Sequence, residues 1–550
     1  MIQVKKRSMI TLAAAGLSLA VLVSGCSGNN AGSGTEATPG KSSPDKNAKK
    51  PVITVSMYDR GNVPAEFGTP EKNIWSEWIN ENSPVQVKFV PIPRNESVQK
   101  LNVLFASGEA PDVIFEFDAN FRNQLYNQKQ IMPLDDLIEK HSVVYKKLIT
   151  EFPELKKAGT KSDGKLYEFG KLKFSHSFNG LFIRNDWLKK LNLKVPETVD
   201  ELFAVAKAFA EQDPDGNGKK DTYGIHLSGA NLIPVFFGSR SLYVKDGALI
   251  KDQTLAREKA ALDFQKRLYD AGIVDKDFLT DKNGEKATQD WITGKLGIFA
   301  GRTIDLDSYK KFYEALKKND PQAEVIPIAA PRSEFGQFTL GLNNPVQMTV
   351  AVNANAKDPV AVMKFIDFMA AKSTGMTFAF GKEGEHWTTG PNGCPVQKDP
   401  EKFKKELSWA ADYLMVTSTN QFGPCFLPEN LLNPSNPREK EFIDIIRANN
   451  KINLDTVKNY PDITHSEHMP SLPQNLQVTK SNLDKTYGDL ISKAIVSGAS
   501  YTAAQAIEDY KKAYQSTGGQ QLDDFYINWY KENKTKAFLA EDLFKIRIDK

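Results

Sequence analysis

The chain has 550 residues, 71 of them Lys or Arg and 68 Asp or Glu, so its formal charge is only +3. That balance removes the electrostatic case for nucleic acid, which requires a basic surplus. A hydrophobic content of 40% over this length exceeds one ordinary core, so two or more lobes are expected. At the start, Lys5, Lys6 and Arg7 precede the apolar run Met9 to Val23, which is short for a membrane span and has the proportions of an export signal over residues 1–25. Residues 26–51 are rich in Gly, Ser, Asn, Pro and Lys and are expected to form a flexible tether. The folded part opens with a β-branched strand, Val52 to Asp59. A helix, a second strand ("VQVKFVPIP"), an amphipathic helix carrying Val98, Leu101, Leu104 and Phe105, and a short strand ("DVIFEFD") follow. This β-α-β-α-β order predicts a mostly parallel sheet covered by helices.

A second region begins near Leu181. Thr198, with Glu201 three residues on, is a capping box for a helix whose core face is Leu202, Val205, Ala206 and Phe209. That helix runs into "DPDGNGKKD". Asp213, Asp215 and Asn217 take positions one, three and five of a calcium loop. Gly218, the Lys219 carbonyl and Asp221 fall at six, seven and nine. Position twelve is Gly224 instead of a bidentate Glu, and a strand is expected to follow. A structural calcium site that fastens a helix to a strand fits this pattern, whereas a sensor does not. A solvated Asp-Gly turn is the plainer alternative, but it requires fewer spaced oxygen donors. Later strands are expected in "WITGKLGIFAGR" and "AEVIPIAAP", a helix in "DPVAVMKFIDFMAA", and mainly helices over the last hundred residues.

No HExxH, GxSxG or complete dinucleotide fingerprint is present, so nothing marks an enzyme. His465 and His468 lie between Pro461 and Pro470 and read as loop. For Cys394 and Cys425, a disulfide and two separate buried thiols both satisfy the sequence.

Several stretches together carry a resemblance. "VSGC", ending at Cys26, resembles the bacterial lipobox, in which the Cys receives a diacylglycerol (palmitate-type) anchor. The tether, "FASGEAPDVIF", the run from Leu181 through the calcium-like loop, "FGKEGEHWTTG" and "DPVAVMKFIDFM" resemble the extracellular solute-binding proteins that feed bacterial ABC importers. Within these, they look like the LplA/YtcQ-like carbohydrate-binding lipoproteins of Gram-positive bacteria. The resemblance implies a two-lobed α/β fold of the periplasmic-binding-protein type (type II), with a hinge and an interlobe cleft. By analogy, residues 52–178 plus 300–352 form one lobe and residues 179–299 plus 353–550 the other. It implies a monomer, lipid-anchored at Cys26 on the extracytoplasmic face of the cell membrane, that presents an oligosaccharide to permease subunits without making or breaking a bond. Calcium is carried onto Asp213, Asp215, Asn217, Lys219 and Asp221. Some relatives have a further carboxylate after the last Asp, where this chain has Thr222.

Sugar sites set aromatic faces against pyranose rings, and ligands lie beyond the C-terminal ends of parallel strands. That rule selects Tyr58, Asp59, Glu116 and Asp118 at strand ends. Trp291 and Arg302 are added near a lobe crossing, and Trp387 in the hallmark turn. Competing expectations are a peptide or other solute as ligand, a ligand-presenting sensor subunit, and a surface polysaccharide-degrading enzyme.

Overall fold

The computed structural model describes residues 49–550 except 178, 230, 240–241, 282, 303–307, 342, 391–392, 458–468, 540–545 and 547–550, and of Arg302 and Pro428 the backbone only. Cys26, His465 and His468 therefore lie outside the described residues.

The strands in chain order are β1 (Val52–Asp59), β2 (Gln86–Pro93), β3 (Val113–Phe115), β4 (Glu168–Leu172), β5 (Asn179–Arg184), β6 (Tyr223–Ile225), β7 (Tyr243–Lys245), β8 (Ala248–Ile250), β9 (Leu296–Arg302), β10 (Val325–Ile328), β11 (Val346–Val352), β12 (Trp387–Thr389) and β13 (Pro395–Gln397). Two sheets organise the chain. The larger has the order β2-β1-β3-β11-β4 and the smaller β10-β5-β9-β6. β1 runs parallel to β2 and β3, as the expected β-α-β-α-β requires. β11 is antiparallel to both β3 and β4, so β4 points the same way as β1.

Each sheet has its own core. Ile53, Val55, Val113, Phe169 and Val350 of the larger sheet are buried with Val362, Phe365, Ile366 and Met369 of helix Pro359–Ala370. Leu181, Ile183, Ile225 and Ile298 of the smaller sheet are buried with Leu202, Val205 and Phe209 of helix Val199–Glu211, and with Ala494 and Ile495 of helix Gln474–Val496. The fold is thus two-lobed and α/β. The capping box is present as the sequence predicts. Thr198 accepts from the Glu201 N–H at 3.2 Å, and Glu201 accepts from the Thr198 N–H at 3.1 Å.

The structure divides the lobes differently from the expected boundaries. β10 pairs with β5 in the smaller sheet, through Val325 opposite Arg184 and Ile328 opposite Leu181. Among the described residues of the expected 300–352 segment, only β11 reaches the larger sheet. Helix Pro359–Ala370 and residues 407–416 belong to the larger sheet's core, not to the other lobe. Both corrections rest on long-range pairing that local periodicity does not encode.

The connections between the sheets are tied by amides. The His176 N–H donates to Asn343 Oδ1 at 2.7 Å, and the Asn343 N–H donates back to the His176 carbonyl at 3.2 Å. The Ser177 N–H donates to Asn450 Oδ1 at 3.0 Å, and Asn449 Nδ2 donates to the Asn179 carbonyl at 3.3 Å. Amide groups thus link the segments around His176, Asn343 and Asn449 without a charge to titrate.

Candidate functional site

The C-terminal ends of β1, β2, β3 and β4 meet along one edge of the larger sheet. Tyr58, next to last in β1, is 5% exposed. Its hydroxyl donates to Glu116 Oε1 at 2.7 Å and accepts from the Phe117 N–H at 2.9 Å. Its ring stacks on Phe117 with centroids 5.8 Å apart and planes 17° from parallel. Burial, then the Glu116 charge, pushes the Tyr58 hydroxyl far above its ordinary value, so it stays a donor at any physiological pH. Glu116 Oε1 also accepts from the Asp118 N–H at 2.8 Å, and its Oε2 is buried without a partner. Asp118 caps helix Ala119–Asn127 by accepting from the Phe121 N–H at 2.8 Å, and Asp59 closes the turn to Gly61 at 2.9 Å.

Three basic side chains border this aromatic pair. The Arg94 guanidinium lies 4.6 Å from the Tyr58 centroid and 5.7 Å from that of Phe117. Arg60 lies 5.5 Å from Tyr58 and forks onto Asp412 at 2.6 and 3.0 Å. Lys171 Nζ lies 5.7 Å from Phe117 and donates to the Leu414 carbonyl at 2.9 Å. Burial, then the neighbouring Lys173, brings the Lys171 amine down to about 7. Arg94, Phe117 and Lys171 were not among the sequence candidates. Arg94 directly follows β2, so the strand-end rule that selects Tyr58 would have found it. Lys171 sits on a short strand with a central Gly, "EFGKL", which gives no such signal.

The other candidates do not join this edge. Trp291 is 2% exposed and stacks on Phe299 at 5.2 Å, with its indole N–H on the Phe312 carbonyl. It is a core residue of the smaller sheet's outer cluster with Tyr309 and Tyr313. Trp387 gives its indole N–H to the Gly381 carbonyl at 2.9 Å and pairs in the β12-β13 hairpin, so it fixes the hallmark turn. The Arg302 backbone ends β9 opposite Asn179, at a lobe crossing. Cys394 and Cys425 form a disulfide, which ties that turn to residues 419–426.

The same turn brings Glu385, His386 and Glu406 together, with one ligand atom of each within 4.8 Å of the others. The Lys382 N–H donates to His386 Nδ1 at 3.1 Å. That places the ring proton on Nε2, which points at Glu406 at 3.1 Å. A metal would need the lone pair that this proton occupies. The cluster is therefore a hydrogen-bonded clasp.

In the acidic loop, Asp213 has φ 48°, and Gly216 and Gly218 have φ 76° and 75°. This left-handed backbone curls the loop so that the N–H groups of Gly216, Asn217 and Gly218 reach the Asp213 carboxylate at 3.0–3.1 Å. Asn217 Nδ2 donates to both Asp215 at 2.7 Å and Asp221 at 3.0 Å. Partial burial, then Asp213, pushes the Asp215 carboxyl up, while its hydrogen bond with Asp215 holds Asp213 down. Acids gathered around one amide fit a hard cation once Asn217 turns its Oδ1, which now accepts from the Lys219 N–H at 2.7 Å, toward them. Thr222 contributes nothing there. It is buried, and its hydroxyl donates to the Phe209 carbonyl at 2.8 Å. Gly224 cannot be the bidentate Glu, because a Cβ at that position would stand 2.1 Å from the Ala206 carbonyl oxygen. The close approach of β6 to helix Val199–Glu211 thus removes the twelfth ligand.

The fold is two-lobed and α/β, and an aromatic and charged edge lies at the C-terminal ends of its parallel strands. The chain belongs to the bacterial extracellular solute-binding proteins, whose family pattern matches residues 77–380. It is 24% identical over 534 residues to the polygalacturonan/rhamnogalacturonan-binding protein YtcQ of Bacillus subtilis (strain 168), covering 94% of this chain and 97% of that one. An extracellular solute-binding protein from Bifidobacterium longum subsp. infantis superposes with TM-score 0.69 at 18% identity, over 88% of this chain and 98% of the other. The alginate-binding protein AlgQ2, solved without calcium ion, gives TM-score 0.62 at 21% identity, over 88% and 98%.

Proposed function

We propose that this chain captures a carbohydrate, an oligosaccharide in size, at the C-terminal edge of the larger sheet and delivers it to the permease of an ABC transporter. The observation that carries this reading is the near-parallel Tyr58–Phe117 pair, fixed by Glu116 and bordered by Arg60, Arg94 and Lys171. In that pair Tyr58 is buried and backs the half-buried Phe117, whose ring offers an apolar face to a pyranose ring while the bordering basic groups serve its hydroxyls. The names of YtcQ and AlgQ2 as polysaccharide-binding proteins support the same class. Ligand touching both lobes stabilises a closed form, and closure is a population shift that the permease reads. No bond is made or broken in this cycle.

The chain acts outside the cytoplasm, held as a monomer by a lipid on Cys26. No helix among the described residues is long and apolar enough to cross a membrane. Cys26→Ser is expected to move the protein from the membrane fraction to the medium, and retention in the membrane would refute the anchor. Calcium is proposed as a fastener held by Asp213, Asp215, Asn217, the Lys219 carbonyl and Asp221, supplying only fixed charge between helix Val199–Glu211 and β6.

The test of the binding reading is a thermal-shift screen of residues 27–550 against neutral and acidic oligosaccharides. A bound sugar at one hundred times its dissociation constant adds about 2.7 kcal/mol to the folded state, a readable rise in Tm. Recovery of that sugar uncut supports a binding protein. A cleaved sugar would make the chain an enzyme, and a chain that no sugar shifts would end this reading.

A further inference from the structure

We propose that Ala537, Phe538 and Leu539 form an interlobe strap, in which the Phe538 ring holds the smaller lobe against the larger one and limits how far the two move apart. The chain enters this segment from helix Gly519–Asn533, which is fastened to the smaller lobe. Asp523 of that helix is buried and takes Lys251 Nζ at 2.6 Å and the Tyr514 hydroxyl. Leu522 is buried with Leu476 and Leu483 of helix Gln474–Val496, whose Ala494 and Ile495 lie in the smaller sheet's core. Ala537 then packs with Tyr530 and with Leu249 of β8, and Leu539 lies against the same cluster. Phe538, between them, turns the other way. It is buried in the larger lobe with Leu155, with Leu172 of β4, and with Val346 and Met348 of β11. Successive side chains of an extended segment point to opposite sides. Residues 537–539 therefore lie in a seam, with one lobe on each face.

Polar contacts fix that placement from the larger lobe. Lys157 Nζ, on helix Pro153–Gly159, donates to the Ala537 carbonyl at 2.7 Å and sits 4.6 Å from the Phe538 ring centroid. Ile546 joins the same larger-lobe cluster, and its carbonyl accepts from the Ser175 N–H at 3.0 Å, in the connection from β4 to β5. A movement that widens the seam must draw the Phe538 ring out of its apolar cluster into water, whereas one that keeps the seam shut leaves it in place. Lobes restricted in this way before a ligand arrives have fewer arrangements to lose on closing around it. A ring that only completed the larger lobe's core would not need both its neighbours seated on the other lobe.

The test is a spin-label distance measurement by pulsed electron paramagnetic resonance on ligand-free residues 27–550. Labels are placed at Val103→Cys and Val478→Cys, which are 61% and 55% exposed on helices Ser97–Ser107 and Gln474–Val496, one in each lobe. Cys394 and Cys425 are joined to each other, so the label goes to the introduced thiols. The labelled parent is expected to give one narrow distance peak. Phe538→Asp, which puts a charge into the apolar cluster, and a chain ending at residue 536 are each expected to lose that peak to a broad spread. Phe538→Leu is expected to keep it. Lys157→Met, which leaves the apolar cluster filled, is expected to broaden it in part with Tm close to that of the parent. A narrow peak in both Phe538→Asp and the shortened chain overturns the proposal, as does a broad spread in the parent. Failure of both to fold also overturns it, because the ring would then be core of the larger lobe and not a strap between lobes.

Discussion

Replacing Arg122 with Met is expected to destabilise the larger lobe by about 3–5 kcal/mol, the cost of leaving one member of a buried ion pair uncompensated. Arg122 and Glu168 are 1% and 2% exposed, and Arg122 Nε lies 3.3 Å from Glu168 Oε2. Lys161 reaches the other oxygen at 2.6 Å, and Arg122 holds the Glu116 carbonyl with a second nitrogen at 2.6 Å. Burial alone would raise the Glu168 carboxyl, but Arg122 and Lys161 outweigh it and keep it below its ordinary value. A group whose folded pKa is depressed contributes stability above its unfolded pKa of about 4.3, and that contribution is lost as pH falls through the folded value. Urea denaturation should therefore show the parent losing stability below about pH 5, with Arg122→Met losing less over that range. The double variant Arg122→Met, Glu168→Leu should recover most of the loss at neutral pH, because an apolar pair of similar volume has no charge to desolvate. A double variant as weak as the single one would show that packing, not charge, is the cause. Because Arg122 also fixes the end of β3, ligand affinity should fall in the single variant along with stability.

Local rules made part of this molecule legible. The alternation of Val52 to Asp59 and the two helices after it gave a parallel unit that the register of β1 with β2 and β3 matches. The Thr198–Glu201 box and the glycines of the acidic loop are likewise set by neighbours a few residues away. What was not legible depends on distant partners. β10 reads as a strand, but Val325 pairs with Arg184, far back in the chain, and that choice decides its lobe. Helix Pro359–Ala370 has a clear apolar face, yet nothing in the face says which sheet it covers. Trp291 and Tyr58 are both buried aromatics, but Trp291 packs from helix Glu285–Ile292 into the outer cluster of the smaller sheet, whereas Tyr58 lies at the end of β1 behind Phe117. Glu116 and Asp118 were selected as ligand groups, whereas their hydrogen bonds show them shaping the edge. Arg94 was within reach of the same rule. Thr222 and Gly224 look like defects in a calcium loop until Phe209 and Ala206 are found behind them.

That loop yields the second large effect. With calcium at one hundred times its dissociation constant, binding adds about 2.7 kcal/mol to the folded state, so EDTA should lower Tm by several degrees and excess calcium should restore it. A plain turn makes the opposite forecast for one substitution. If the loop is only a turn, Asp215→Asn removes a like-charge neighbour of Asp213 and should stabilise equally with and without calcium. If it holds a cation, the same substitution should leave the chain in EDTA as stable as the parent or more so. In calcium it should fall below the parent, because a ligand charge is gone. The sign of its effect therefore reverses with calcium. Asp215 is the carboxyl pushed up, by partial burial and then by Asp213, and calcium binds its charged form. The calcium-dependent gain should accordingly be present at neutral pH and shrink as pH falls through the raised Asp215 value. A Tm that ignores EDTA in the parent, or an Asp215→Asn effect of one sign in both conditions, would return residues 213–221 to a turn.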